Sequence, residues 1–158
     1  MADNFQNVVK NRKARHEYEI EETYEAGLVL QGSEVKSIRE GRVNISEAHC
    51  GVRNGEMWLF NAHIAPYHKG SSHTNHNPRR ERKLLLHKNE IVTLEQKVDR
   101  EGYTIVPLQL YFKNGYAKIK IGVARGKKRH DKRRDIKERE QKRRMKQQMR
   151  DANRSHRR

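Results

Sequence analysis

Cysteine occurs once in the 158 residues, at Cys50. No disulfide can form within the chain, which fits a reducing compartment, and the expected location is the cytoplasm. Long apolar runs are missing. No stretch approaches the roughly 18 residues that mark a membrane span. Residues 1–22 lack the apolar centre of a secretory signal. There is no Gly-rich phosphate loop, no paired-His helix and no serine elbow. Catalysis is therefore not expected. His63, His68, His73 and His76 fall in one stretch, but they lack tight ligand spacing and no Cys or Asp stands among them. No metal and no cofactor is expected, and a histidine–metal RNA-processing enzyme is disfavoured.

What is abundant is positive charge. Lys and Arg number 36 against 20 Asp and Glu, a formal net charge of +16. Residues 125–158 hold 17 of the basic and 5 of the acidic residues, a net of +12, which leaves 19 and 15, a net of +4, for residues 1–124. An excess this large favours a polyanionic partner, because cationic side chains displace counterions from phosphate backbones.

The apolar residues concentrate between Tyr18 and Val123 and nearly vanish afterwards. From Tyr18 to Leu30 the even positions carry Tyr18, Ile20, Glu22, Tyr24, Ala26, Leu28 and Leu30, a period of two that predicts a strand with one buried face. Gly27 is placed for a bend or bulge. Ser33–Glu40 reads as a short helix capped by Ser33 and stopped by Gly41. Two hairpins are predicted at Asn54-Gly55 and Asn114-Gly115. Two-residue turns would pair Val52 with Met57 and Cys50 with Leu59, putting Cys50 in the core. They would also pair Phe112 with Ala117, Leu110 with Ile119, Leu108 with Ile121 and Val106 with Val123. On the opposite face Tyr111 would meet Lys118, and Gln109 would meet Lys120. Trp58 and Phe60 would lie opposite Met57 and Leu59, packed under a helix or free to stack on RNA. Asn77-Pro78 predicts a helix start, with a short helix over Arg79–Leu86. Ile91, Leu94 and Val98 share one face of a second helix that Gly102 ends.

Five strands with the main helix between the third and fourth match an OB-like barrel. The expected fold class is mainly β with short helices, an antiparallel barrel followed by a basic tail. The expected divisions are a flexible N-terminus at 1–9, the barrel at 10–124 and the tail at 125–158. The tail's apolar residues amount to Ile136, Met145, Met149 and Ala152, too few for a core. Its acid-before-base pairs Asp135–Arg139, Glu138–Lys142 and Glu140–Arg144 favour helix by about 0.2–0.5 kcal/mol each. The tail is expected to be disordered when free and helical when bound, hinged at Gly126.

For RNA contact the residues themselves point to basic clusters: Arg12, Lys13 and Arg15 with His16; Arg79, Arg80, Arg82 and Lys83; and Lys127–Arg129. Lys118 and Lys120 alternate with buried residues beside Tyr111, which pairs phosphate neutralisation with a ring able to stack. Glu34, taken alone, is an acid in the first turn of a helix.

Read together, Asn11-Arg-Lys-Ala-Arg-His-Glu-Tyr18, Gly32-Ser-Glu-Val-Lys-Ser-Ile-Arg39, Arg82-Lys-Leu-Leu-Leu-His87, Gly122-Val-Ala-Arg-Gly-Lys-Lys128 and His130-Asp-Lys-Arg133 closely resemble the SsrA-binding protein family, or small protein B. The resemblance implies an OB-like barrel that binds the tRNA-like part of transfer-messenger RNA (tmRNA). It implies delivery, together with elongation factor Tu, to ribosomes stalled without a stop codon. It also implies a tail that turns helical in the empty mRNA channel. It places Glu34 at a position needed for tmRNA binding and the Leu86–Asn89 stretch, with Lys88, on a surface used for the same contact. Lys36 falls within a matching motif. It places His130, Asp131, Lys132 and Arg133 near the decoding centre, with Gly126, Ile136 and Lys137 in the arm that carries them and Lys127 and Lys128 at its base. Beyond Gln141 the chain is richer in Arg, Lys and Gln than the resemblance implies. A monomer is expected, with tmRNA and ribosomal RNA as partners. A ribosomal or assembly protein bound permanently to rRNA is the alternative.

Overall fold

A computed structural model describes residues 4–70, 75–127 and 129–156, without the side chains of 129–135 and 154–156. Two compact units are present, Met1–Arg125 and Gly126–Arg158.

The first unit is an antiparallel barrel. Its elements are β1 (Phe5–Lys10), α1 (Arg12–Glu17), β2 (Tyr18–Leu28), α2 (Gly32–Arg39), β3 (Val43–Asn44), β4 (His49–Arg53), β5 (Glu56–Phe60), β6 (His63–Ile64), β7 (Arg82–Leu85), α3 (Lys88–Glu101), β8 (Thr104–Lys113) and β9 (Tyr116–Gly126). The strand order is β1-β8-β4-β5-β7-β2-β9, and β9 also pairs with β8, so the sheet closes. Closure removes the exposed edges that an open sheet must protect. β3 and β6 form a separate two-stranded ribbon.

Both asparagine–glycine turns form with positive φ at each central residue: Asn54 54° and Gly55 74°, Asn114 52° and Gly115 83°. This is the turn geometry that follows strand twist. The first hairpin has the expected register, Val52 opposite Met57 and Cys50 opposite Leu59. The second keeps Phe112 opposite Ala117, Leu110 opposite Ile119, Tyr111 opposite Lys118 and Gln109 opposite Lys120. Nearer the open end it departs from expectation. A bulge between Pro107 and Gln109 pairs Pro107 with Ile121, Val106 with Gly122 and Ile105 with Val123. The extra residue is Leu108, and a period of two carried across it puts each later residue on the wrong face.

The bulge has a visible support. Asn11 Nδ2 donates to the carbonyls of Pro107 (2.8 Å) and Ile45 (3.1 Å). Its backbone N–H donates to Leu108 O at 2.7 Å. Asn11 Oδ1 also accepts from Ala14 N at 3.0 Å, capping α1. Beyond the bulge Val106, Leu108 and Ala124 face Ala14 of α1, with Tyr18 and Ile20 alongside. Ile105, Leu110, Phe112, Ile119, Ile121 and Val123 fill the barrel interior. β8 is therefore covered on both faces, and α1, hidden in a sequence that reads as a basic cluster, is the outer cover.

Three further expectations change. Phe5–Lys10, in the stretch expected to fray, is a strand paired to the end of β8. Its outer residues are exposed, so burial left no alternating signal. Arg82–Leu85, expected as helix, is a strand alternating buried and less buried residues. Its innermost residue is an arginine, which no apolar count registers. α2 begins at Gly32 rather than after Ser33, with Gln31 as its cap. Gly41 (φ 75°) follows α2, and Gly102 (φ 71°) ends α3. In α3, Ile91 and Leu94 are buried, while Val98 is exposed.

In the second unit Arg129–His156 is one α-helix, α4. From Ile136 to Asn153 every residue is exposed. Among the described residues no helix is long and apolar enough to cross a membrane.

Candidate nucleic-acid interface

The predicted residues separate into those that hold the surface in shape and those that present it. Glu34 and Arg82 belong to the first group, and both are fully buried. Arg82 Nε donates to Glu34 Oε2 at 2.6 Å, and Arg80 Nη2 donates to Glu34 Oε1. Gln31 N–H adds a third hydrogen bond to Glu34, at 2.8 Å. The rest of the Arg82 guanidinium donates to Ala62 O at 2.7 Å and Pro78 O at 3.1 Å. Burial raises the Glu34 pKa, but the hydrogen bonds from Arg80, Gln31 and Arg82 outweigh it and hold the carboxyl below the usual carboxylate range. Burial lowers the Arg82 pKa, opposed by the Glu34 charge. A buried charge stripped of water survives only when paired in this way. The pair ties α2, β7 and the segment after β5 together. Direct RNA contact, expected of Glu34 and Arg82, is corrected: neither reaches solvent. Arg80, about 29% exposed, is the member of the trio that faces outward.

Tyr111 is also corrected. It is 2% exposed, its ring lies 4.7 Å from that of Phe5, and its hydroxyl donates to Glu25 Oε2. β1, the strand that sequence reasoning left out, covers it, so its ring is not available to stack on a base. His76 is likewise no loop residue. It is buried, with Nε2 donating to Ile64 O (2.9 Å) and Nδ1 accepting from Ser33 Oγ (2.9 Å). Among the described residues no group of metal-ligating side chains gathers; His73 lies outside them.

The presenting residues surround an open groove of about 340 Å³ where β2, β7, β9 and the start of α3 meet. Its lining is Glu25 and Gly27 of β2, Leu85, Leu86, His87, Glu90 and Lys118. Leu85 is 54% exposed, a large apolar side chain on the open surface. Gly27 lies directly beneath it: a Cβ there would stand 3.2 Å from Leu85 Cβ. The groove's acids are engaged internally. Glu25 accepts from Tyr111 and has Lys113 Nζ at 3.7 Å, while Glu90 accepts from His87 N–H at 3.1 Å. An apolar platform flanked by Lys118 and His87 therefore faces outward. Lys88 and Asn89, the first residues of α3, are exposed beside it. Glu25 and Leu85 were missed by sequence reasoning, whereas His87 falls within the Leu86–Asn89 stretch that the resemblance placed on this surface. Leu85 sits one position off the inward alternation of a strand that was itself read as helix.

The other predicted cations are distributed. Arg12, Lys13 and Arg15 are exposed on α1, and His16 is half-buried. Lys13 pairs with Glu47. Lys36, on α2, lies 5.2 Å from the Tyr67 ring centroid. Lys83 is 3.0 Å from Glu56. Lys120 is half-buried on β9, two residues from Lys118. In the second unit Gly126, Ile136 and Lys137 are exposed and Lys127 half-buried. Lys128 lies outside the described residues, and of His130, Asp131, Lys132 and Arg133 only the helical backbone is described. Cys50 is buried in the core, and burial pushes its thiol pKa up, the reverse of what a nucleophile needs.

Comparison with known proteins agrees with this architecture. A family model described as SmpB protein matches residues 8–151. The SsrA-binding protein of Geobacillus thermodenitrificans is 57% identical over 124 residues, 78% of this chain and 79% of the relative. That of Thermosynechococcus vestitus is 55% identical over 131 residues, 83% and 86% of the two chains. A solved chain from "tmRNA-SmpB: a journey to the center of the bacterial ribosome" is similar with a TM-score of 0.65 and 51% identity, covering 82% of this chain and 94% of that one. The match runs through the barrel and most of the helical arm, and the chain belongs to the SsrA-binding protein family.

Proposed function

We propose that the chain is an RNA-binding factor of ribosome rescue. Its barrel binds the tRNA-like part of tmRNA and delivers it, with elongation factor Tu, to ribosomes stalled without a stop codon. The observation that carries this reading is the family match over residues 8–151, which takes in both units. The relatives named SsrA-binding proteins and the solved tmRNA–SmpB chain support it further. The cytoplasm is where such ribosomes are found.

The barrel grips RNA through the Leu85 groove. Lys118, Lys120 and the start of α3 supply charge, and the α1 cluster and Lys36 lie on further parts of the same unit. Glu34 acts through Arg80 and the position of β7 rather than by touching RNA. The α4 arm, with few apolar residues and a large excess of Lys and Arg, has little to hold it in shape alone. In an rRNA-lined channel its mutual repulsion is neutralised, so helix and channel form together. The arm conflicts sterically with any mRNA still in place, which restricts entry to ribosomes whose channel is empty.

Sequencing the RNA that copurifies with the full chain tests this. Strong enrichment of tmRNA is expected. Recovery of rRNA alone would instead make the chain a permanent ribosomal or assembly component.

A further inference from the structure

The outer face of the β4–β5 hairpin carries a row of rings that the groove does not use. His49 and Phe60 stand opposite each other across the hairpin. Their rings are stacked, with centroids 5.3 Å apart and 28° between planes. Gly51, the next outward position on β4, has no side chain to obstruct them; a Cβ there would meet the Phe60 ring at 3.2 Å. The Arg53 guanidinium lies over two rings, 5.6 Å from the Phe60 centroid and 4.7 Å from that of Trp58. Trp58 Nε1 is buried without a hydrogen-bond partner. The row is thus ring, ring, planar cation, ring. The Arg53 guanidinium lies on the Trp58 ring.

A core has no need of such a row on its outside. Alternating aromatic and cationic planes on a barrel face are what unpaired bases stack on. The local cations are already matched, Arg53 with Glu81 at 2.7 Å and Lys83 with Glu56 at 3.0 Å. Phosphate attraction is therefore weak here, and stacking supplies the binding. We infer that His49, Phe60, Arg53 and Trp58 form a second RNA site, a stacking platform for unpaired nucleotides, separate from the Leu85 groove. The inference rests on the RNA-binding reading above.

Trp58 is the chain's one tryptophan, so its emission reports on this face of the full-length protein. Titration with a single-stranded oligoadenylate of roughly eight nucleotides should quench it to saturation. A base-paired RNA hairpin should not. His49→Ala and Phe60→Leu, checked for unchanged thermal unfolding, should each move half-saturation up by roughly five- to a hundred-fold, the range expected for one stacked base. The wild-type midpoint should shift little between roughly 50 and 200 mM salt, unlike phosphate-driven binding. Unchanged emission while a labelled oligoadenylate binds by anisotropy would overturn the platform. Equal quenching by the hairpin, or variants that titrate like wild type, would do the same. If quenching is absent while copurifying tmRNA is still enriched, only the platform falls. If tmRNA is not enriched, the rescue reading itself falls.

Discussion

The barrel and the arm solve opposite problems with the same kinds of residue. In the barrel, charges are paired: Glu34 with Arg80 and Arg82, Glu22 with Lys97, Glu56 with Lys83, Glu47 with Lys13. Residues 1–124 keep only a small net charge, and buried apolar side chains decide their shape. Residues 125–158 set 17 basic residues against 5 acidic ones, and the arm's apolar side chains Ile136, Met145 and Met149 are exposed. The barrel carries its own reasons to fold, whereas the arm is a helix whose surplus charge calls for an outside counterion. Surface charge counted over the whole chain hides this contrast.

Deleting residues 126–158 should break the contrast most completely. The remaining protein should still retain tmRNA in a pull-down, while tagging of proteins on stalled ribosomes should be lost. Tagging that survives deletion would show that the barrel alone suffices.

Glu34→Ala should be the most damaging single change within the barrel. It leaves Arg82 buried without its partner, and the loss should be about 3–5 kcal/mol, read from denaturant midpoints. The same acid predicts a pH dependence. Its folded pKa lies below the ordinary value of 4.5. Its stabilisation is therefore present above the unfolded value and is lost as pH falls through the depressed folded one. Glu34→Gln should flatten that acid limb. An acid limb as steep as that of wild type would assign it to other carboxylates.

Replacing Lys118 and Lys120 together by Ala should leave the fold intact and weaken RNA binding. If both touch phosphate, the slope of log affinity against log salt should fall by roughly 1.4–1.8. An unchanged slope would move the RNA to another face. Tyr111→Phe should have the smallest effect, about 1 kcal/mol of stability for the hydroxyl's bond to Glu25. RNA affinity should stay near wild type, since the ring is covered by β1. A large loss of affinity would return Tyr111 to the interface.

Much of the barrel was legible from local pattern. The Asn54-Gly55 and Asn114-Gly115 turns set their own geometry, and both hairpin registers next to them follow. The α3 face of Ile91 and Leu94 was equally clear. What escaped has specific physical causes. The Leu108 bulge is held by Asn11, nearly a hundred residues away in the chain, and no local rule reports a distant hydrogen bond. β7 was hidden because its buried residue is Arg82, acceptable there only through Glu34. β1 was hidden because one side of it stays in water. These omissions displaced the site: Tyr111 looked exposed without β1, and Leu85 had no face without β7.

By itself the sequence determined the polyanion-seeking character, the division into an apolar-rich part and a cationic arm, the turns, and the family likeness, because these depend on composition and on neighbours in the chain. Which charged residues lie exposed and which hold the fold was decided only by the tertiary structure. Burial and ion pairing are set by side chains brought together from α2, β1, β2 and β7, and a charge costs or binds according to that surrounding, not according to its place in the chain.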